Sequence, residues 1–304
     1  MTLPTQDDFR DTAARLLRGA WDLNCRCDPS PGYGQDHIEV SAEASSLGLA
    51  GLVFRDDAYC TTPIASLLME TSFRDGGIAL SGSVTLNNIS GGLNFYAAEH
   101  ALMLGGRIVS MPTVSSQNHL RMTRWPRRQA SRGPKPRAIT VLDDRGRVRD
   151  DALEVLDIIA DRDGVLDAGA LHVSEILPLF CAARRAGVSR LLVSDPFRRN
   201  ALGLDDLGEI LEAGAFVEFL PQQDSVEAAG IGFARRLAPD RLILGLDVGP
   251  SPRSLSLTGR YRQAVGFWLS LGFDEAEIQR CMKENVEQLL CLEQAAGRQM
   301  ELAS

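Results

Sequence analysis

Eight short apolar runs, each followed by a helix-like stretch, constrain this chain more than any other feature. They begin near Ala20 (AWDLNCR), Leu49 (LAGLVFR), Gly77 (GIALSGSV), Gly106 (GRIVSMP), Gly164 (GVLDAGA), Arg190 (RLLVSDP), Ala215 (AFVEFLP) and Arg241 (RLILGLDVG). Seven intervals separate them, six of about 25–30 residues and one of about 60. An interval of that length holds one strand, one helix and two loops. Continuous Val/Ile/Leu runs fit parallel strands buried on both faces. Eight such units predict a closed (β/α)8 barrel, and 304 residues suit one barrel of about 250 residues plus additions. A doubly wound open sheet is the alternative, because one miscounted strand would permit it.

The intervening segments carry helical periodicity. Asn94–Leu104, Ser174–Ala186 and Asp224–Leu237 place apolar residues at i, i+3 and i+4. Ser174 reads as an N-cap with Glu175 in the first turn, and Gly187 and Gly272 read as C-terminal stops. The segment from about 274 to 296 reads as a helix pair that closes the barrel. The long interval is an insertion after strand 4, about 117–150, inside a single 1–304 domain. Its first part, QNHLRMTRWPRRQASRGPKPR, has seven Arg or Lys and no acid, and its second reads as a hairpin turning at Asp144–Gly146. A loop after a barrel strand lies on the face where such folds carry their sites. It is read either as a lid for an anionic substrate or as a solvated basic loop or subunit contact.

Composition narrows the partners. Hydrophobic residues are 44% and charged residues 24%, which is ordinary for a globular domain. The net charge of −8 disfavours nucleic acid. No apolar run approaches a membrane span, and the N-terminal MTLPTQDDFRDTAARLL lacks the apolar core of a secretory signal. The expectation is a cytoplasmic protein with six free thiols, a small-molecule substrate, possible homo-oligomerisation, and neither nucleic-acid nor membrane partners.

Chemistry is sought at the strand ends. Strand 1 ends in Asn24-Cys25-Arg26-Cys27, where alternation puts Asn24 and Arg26 on one face and both cysteines on the other. Strand 2 ends in Arg55-Asp56-Asp57. Strand 4 ends in Met111-Pro112-Thr113, with His119 beyond. Strand 5 runs through Ala170 to His172, strand 6 ends in Ser194-Asp195 and strand 8 ends in Leu246-Asp247. Cys27 or Cys60 could act as a nucleophile only if the strand twists, and neither has a histidine partner by spacing. His37 reads as a loop residue, His100 as a helix residue, and Arg198 and Arg199 as loop arginines that could add to an anion site.

Three stretches carry a family resemblance: LNNISGGLNFYAAEHAL from Leu86 with GGRIVSMPTVSSQNH ending at His119, GLDVG from Gly245, and Met282, Asn285, Leu289 and Leu290 near the C-terminus. From about Trp21 to Leu292 the chain resembles an uncharacterised bacterial family of amidohydrolase-like TIM barrels. The resemblance implies a His-x-His pair ending strand 1, histidines ending strands 2, 5 and 6, and an aspartate ending strand 8. Together these would bind one or two divalent metals and activate water. This chain departs from that pattern. Asn24 and Arg26 stand for the His-x-His pair, Asp57 for the strand 2 ligand and Asp195 for the strand 6 ligand, while strand 5 offers Ala170 or, with a short gap, His172. Only Asp247 is kept. Arg26 places a permanent cation where the metal would sit, so zinc is disfavoured. Mg2+ or Mn2+ through Asp57, Asp195 and Asp247 ranks below a site without any cofactor.

Two functional readings follow. One is a divergent amidohydrolase-like enzyme, with Asp247, Asp195 and Asp57 as catalytic carboxylates and Arg26, Asn24, Arg55, His119 and His172 binding a small polar or anionic substrate, for hydrolysis, a lyase step or an isomerisation. The other is a pseudoenzyme that binds or scaffolds, with Arg26 and the aspartates forming a structural ion-pair network.

Overall fold

The computed structural model describes residues 6–27, 34–123, 137–222, 225–246 and 256–291. Its strands are β1 (Trp21–Cys25), β2 (Gly51–Phe54), β3 (Ala79–Ser81), β4 (Ser83–Thr85), β5 (Ile108–Ser110), β6 (Val165–Asp167), β7 (Arg190–Ser194), β8 (Phe216–Phe219) and β9 (Leu242–Leu244). All pair in parallel, in the orders β1-β2-β3 and β4-β5-β6-β7-β8-β9. β3 and β4 are the two halves of one strand, interrupted at Gly82, where a Cβ would lie 2.3 Å from the Thr62 backbone. Only glycine admits the start of the Thr62–Glu70 helix so close. Counted so, eight strands alternate with helices in a (β/α)8 TIM barrel, and each lies in the run from which the sequence predicts it.

Two apolar shells build the barrel. Trp21, Leu23, Val53, Ile108, Val165, Leu192, Phe216 and Ile243 form an inner cluster, sealed from below by Val286, Leu289 and Leu290. The outward-facing strand residues, such as Leu52, Phe54, Val109, Leu166, Leu191 and Val217, pack against the helices. In β1 the pairing register shifts between Asp22 and Cys25. This irregularity reverses the alternation. Cys25 and Cys27 therefore join the outer shell, although unbroken alternation from Trp21 and Leu23 would turn them inward, and Arg26 lines the pocket.

Three local expectations change. The N-cap of the Val173–Ala186 helix is His172, whose Nδ1 accepts from the Ser174 N–H at 3.3 Å, so Ser174 lies inside the helix. His37 is not a loop residue: it opens the His37–Ser46 helix behind the Asp36 cap and packs edge-on against Phe54. The C-terminal helix pair is one helical run, Glu275–Gln279, Arg280–Glu284 and Asn285–Leu290, whose middle segment widens to a π-turn. Asn285 fastens it by donating to Leu242 O at 2.6 Å and Pro239 O at 2.9 Å. The insertion begins as a short helix, Gln117–Met122, and returns at Ile139 beside Ser116. Its hairpin is small, closed by Leu142 against Val148, with Asp143 accepting from the Arg145 and Arg147 backbones. Among the described residues no helix is long and apolar enough to cross a membrane.

Candidate functional site

The C-terminal ends of the strands surround a pocket of about 320 Å3 lined by Arg26, Asp57, Thr113, His119, Asp195 and Arg199, with Val114, Ala170, Leu220 and Gln222 completing the wall. Its first side is a relay of hydrogen bonds. Asn87, buried at the end of β4, donates to the Asp57 carbonyl at 2.9 Å and to Thr113 Oγ1 at 2.8 Å, and accepts from the Thr113 and Ser115 backbones. Thr113 Oγ1 in turn donates to Asp57 Oδ1 at 2.6 Å, and Arg26 Nη1 donates to Asp57 Oδ2 at 2.9 Å. Asp57 is thereby fixed from both sides. Burial pushes its carboxyl up, but Arg26 and Thr113 outweigh burial and hold it below its usual range.

Asp195 forms the opposite side. Its backbone is left-handed, at φ 58°, an unfavourable conformation for a residue with a Cβ. The Asp195 N–H donates to Glu218 O at 2.8 Å, and Arg198 grips the carboxylate with two bonds of 3.1 Å. Arg199 approaches the same carboxylate at 3.9 Å, and its Nη1 is buried without a hydrogen-bond partner. Burial, then the charges of Arg26 and Arg55, pull the Arg199 guanidinium below its ordinary value. His119 is pulled down too, chiefly by burial, with Asp57 opposing and Arg199 assisting. Its imidazole is therefore neutral at neutral pH.

Below the pocket, the barrel interior turns polar. Arg55, Ser110, Asp167, Ser194 and Glu218 stand directly above Val53, Ile108, Val165, Leu192 and Phe216, and all five are buried. Arg55 Nη2 pairs with Asp167 and with Ser110 Oγ at 2.6 Å, and Nη1 reaches Ser194 Oγ at 3.4 Å. Both Glu218 oxygens, Asp167 Oδ1 and both side-chain atoms of Asn24 lack partners of good geometry.

Of the residues singled out from sequence, the pocket gathers Arg26, Asp57, His119 and Asp195. Arg55 does not reach it, because its position two residues above Val53 points it into the sealed interior. Asn24 is wholly buried and does not line the pocket. His172 is exposed and occupied as a helix cap, and Ala170 takes the strand 5 place in the wall. Asp247 lies outside the described residues. Sequence reasoning gave Arg199 little weight and missed Asn87, Asp167 and Glu218. A charged residue in mid-strand, as in Val165-Leu166-Asp167 and Phe216-Val217-Glu218, was the available signal.

A divalent ion fits these donors poorly. Asp57 is satisfied by Arg26 and Asp195 by Arg198, so an ion would have to displace guanidinium groups that cannot deprotonate. Among the described residues no three His, Cys, Asp or Glu side chains are placed to hold a metal.

No curated protein matches the chain. Among solved structures, an amidohydrolase from Pseudomonas aeruginosa superposes with a TM-score of 0.61 at 12% identity, covering 93% of this chain and 98% of that one. The probable dipeptidase PvdM from the same organism gives 0.62 at 10% identity, covering 94% and 98%. An uncharacterized amidohydrolase from Saccharomyces cerevisiae gives 0.50 at 9%, covering 90% and 99%. At these identities the likeness establishes the fold, an amidohydrolase-like barrel, and fold alone does not fix activity. The model of a family of unknown function matches residues 19–218, which run from β1 into β8 and include Arg26, Asp57, Asp195 and Arg199, and the chain belongs to that family, DUF6282.

Proposed function

We propose that the pocket is the active site of a divergent amidohydrolase-like enzyme that works without zinc and holds a small substrate by an anionic group between Arg26 and Arg199. The observation that carries this reading is the buried, unpartnered Arg199 Nη1 in a pocket where Arg26 supplies a second cation. A desolvated donor crowded by like charge is stabilised by an incoming carboxylate or phosphate oxygen, and charge-assisted bonds are the strong ones. Neutral His119 is suited to take a proton from the substrate or from water, and Asp57, ionised and fixed, is suited to stabilise the imidazolium that results. Asp195 and, beyond the described residues, Asp247 are the further candidate carboxylates. Hydrolysis, elimination and isomerisation all need such a transfer.

The test is isothermal titration with acetate and sulfate. Wild type is expected to bind one of them, and Arg199→Ala to bind it about tenfold more weakly or worse, since one charge-assisted bond is worth about 1.5–3 kcal/mol. Equal affinity in both proteins would sink the assignment. One observation favours the pseudoenzyme alternative: the mouth aspartates are already neutralised by Arg26 and Arg198. An anion that binds in this pocket and is not turned over, with His119→Gln unchanged in every respect, would support it.

A further inference from the structure

The polar layer under the pocket contains one carboxyl group for which the proposed anion site has no use as a charge. Glu218 on β8 is fully buried. The cation nearest its level, Arg55, is already committed to Asp167, Ser110 and Ser194. Asp22 on β1 acts on it through space, while its carboxylate accepts from Tyr261 Oη and the Asn24 backbone, both at 2.9 Å. On the β9 side stands Gly245, where even a Cβ would come within 3.0 Å of Glu218 Oε1. The Ser194 hydroxyl is near enough to favour the anion slightly, but neither Glu218 oxygen has a hydrogen bond of good geometry. Such a group is held far more cheaply as the neutral acid than as the anion.

We propose that Glu218 is a positioning residue of the anion site: it is kept neutral beneath the pocket floor, and its ionisation weakens the positive field the anion needs. The proposal rests on the anion-binding reading above. Its logic is Coulombic. Arg26 pairs with Asp57, Arg55 with Asp167 and Arg198 with Asp195, while Arg199 stands 3.9 Å from the Asp195 carboxylate. Glu218 lies within the field of Arg199 and of Arg55. A negative charge formed on Glu218 beneath the floor weakens the attraction those cations offer an anion above it. The titration falls where it can act. Burial, with a contribution from Asp22, pushes the Glu218 carboxyl up to about 7 against the pull of Arg55, Ser194 and Arg199.

Sulfate is the probe, because its charge stays constant across the range. Its affinity is measured by calorimetry from pH about 5.5 to about 8.5 in wild type, Glu218→Gln and His119→Gln. Wild type is expected to lose about tenfold in affinity across a midpoint near 7, a coupling of ordinary size. Glu218→Gln, a permanent mimic of the neutral acid, is expected to bind tightly throughout with no such midpoint, and His119→Gln to keep it. A profile unchanged by Glu218→Gln overturns the proposal, as does a midpoint that disappears only in His119→Gln. Either of those outcomes leaves the anion site standing, whereas no sulfate binding at any pH overturns both. Should Glu218→Gln fail to fold, infrared spectroscopy of wild type decides. A carboxylic acid C=O band present at pH about 6 and absent at about 8.5 supports the assignment, and no band at either pH overturns it.

Discussion

The lower and upper halves of the same strands differ in kind, although they are only two residues apart. Val53, Ile108, Val165, Leu192 and Phe216 fill the lower barrel as an apolar plug. Arg55, Ser110, Asp167, Ser194 and Glu218 stand over them as a buried polar layer. Above that layer, Arg26, Asp57, Asp195 and Arg199 open to a pocket. The plug can be explained by hydrophobic burial alone. The polar layer cannot, since buried ions are often less stabilising than apolar residues of the same shape. Its presence beneath a pocket, with several atoms left unpartnered, is what a site that trades stability for electrostatics would show.

Substitutions can break this contrast. The largest effect is expected from Arg55→Met, which strands buried Asp167 without its cation and should cost about 3–5 kcal/mol in urea denaturation. A loss below about 1 kcal/mol would mean that the layer is hydrated and not sealed. In the plug, Ile108→Ala should cost about 2–5 kcal/mol and leave anion affinity within about twofold. A larger loss of binding would show that the two halves do not act separately.

The next effect depends on pH. Glu218 has a folded-state value of about 7 against 4.5 when unfolded, so the native state holds the proton longer. The penalty is absent below 4.5, grows as pH rises and is complete above about 7. Relative to Glu218→Gln, wild type should therefore lose on the order of 3 kcal/mol across that window, read from melts at several pH values. A constant difference would contradict the burial argument. The smallest stability effect belongs to the rim. Both members of the Arg26–Asp57 pair are about one-quarter exposed, so Arg26→Ala should cost under about 1 kcal/mol while weakening anion binding about tenfold.

The strands and their order were legible because parallel strands buried on both faces leave continuous apolar runs. The pocket was half legible. Arg26, Asp57 and Asp195 follow from the strand ends, and the family resemblance pointed to those places. Arg55 reads as a mouth residue because it follows Phe54 at the end of an apolar run. Counting alternation from Val53 would have put it inside. Asp167 and Glu218 are hard to read because they sit within strands, where a lone acid looks like an interruption and not part of a layer. His172 and Ala170 could not be separated by sequence, since the choice turns on where the Val173–Ala186 helix begins.

The central proposal is that arginines occupy the strand-end positions to which the family resemblance assigns a metal. The direct test is elemental mass spectrometry of the purified protein, prepared without added metal or chelator. The account predicts a folded protein with only trace zinc, manganese, iron or magnesium, one that still binds its anion. A near-stoichiometric metal, lost together with anion binding on chelation, would contradict it.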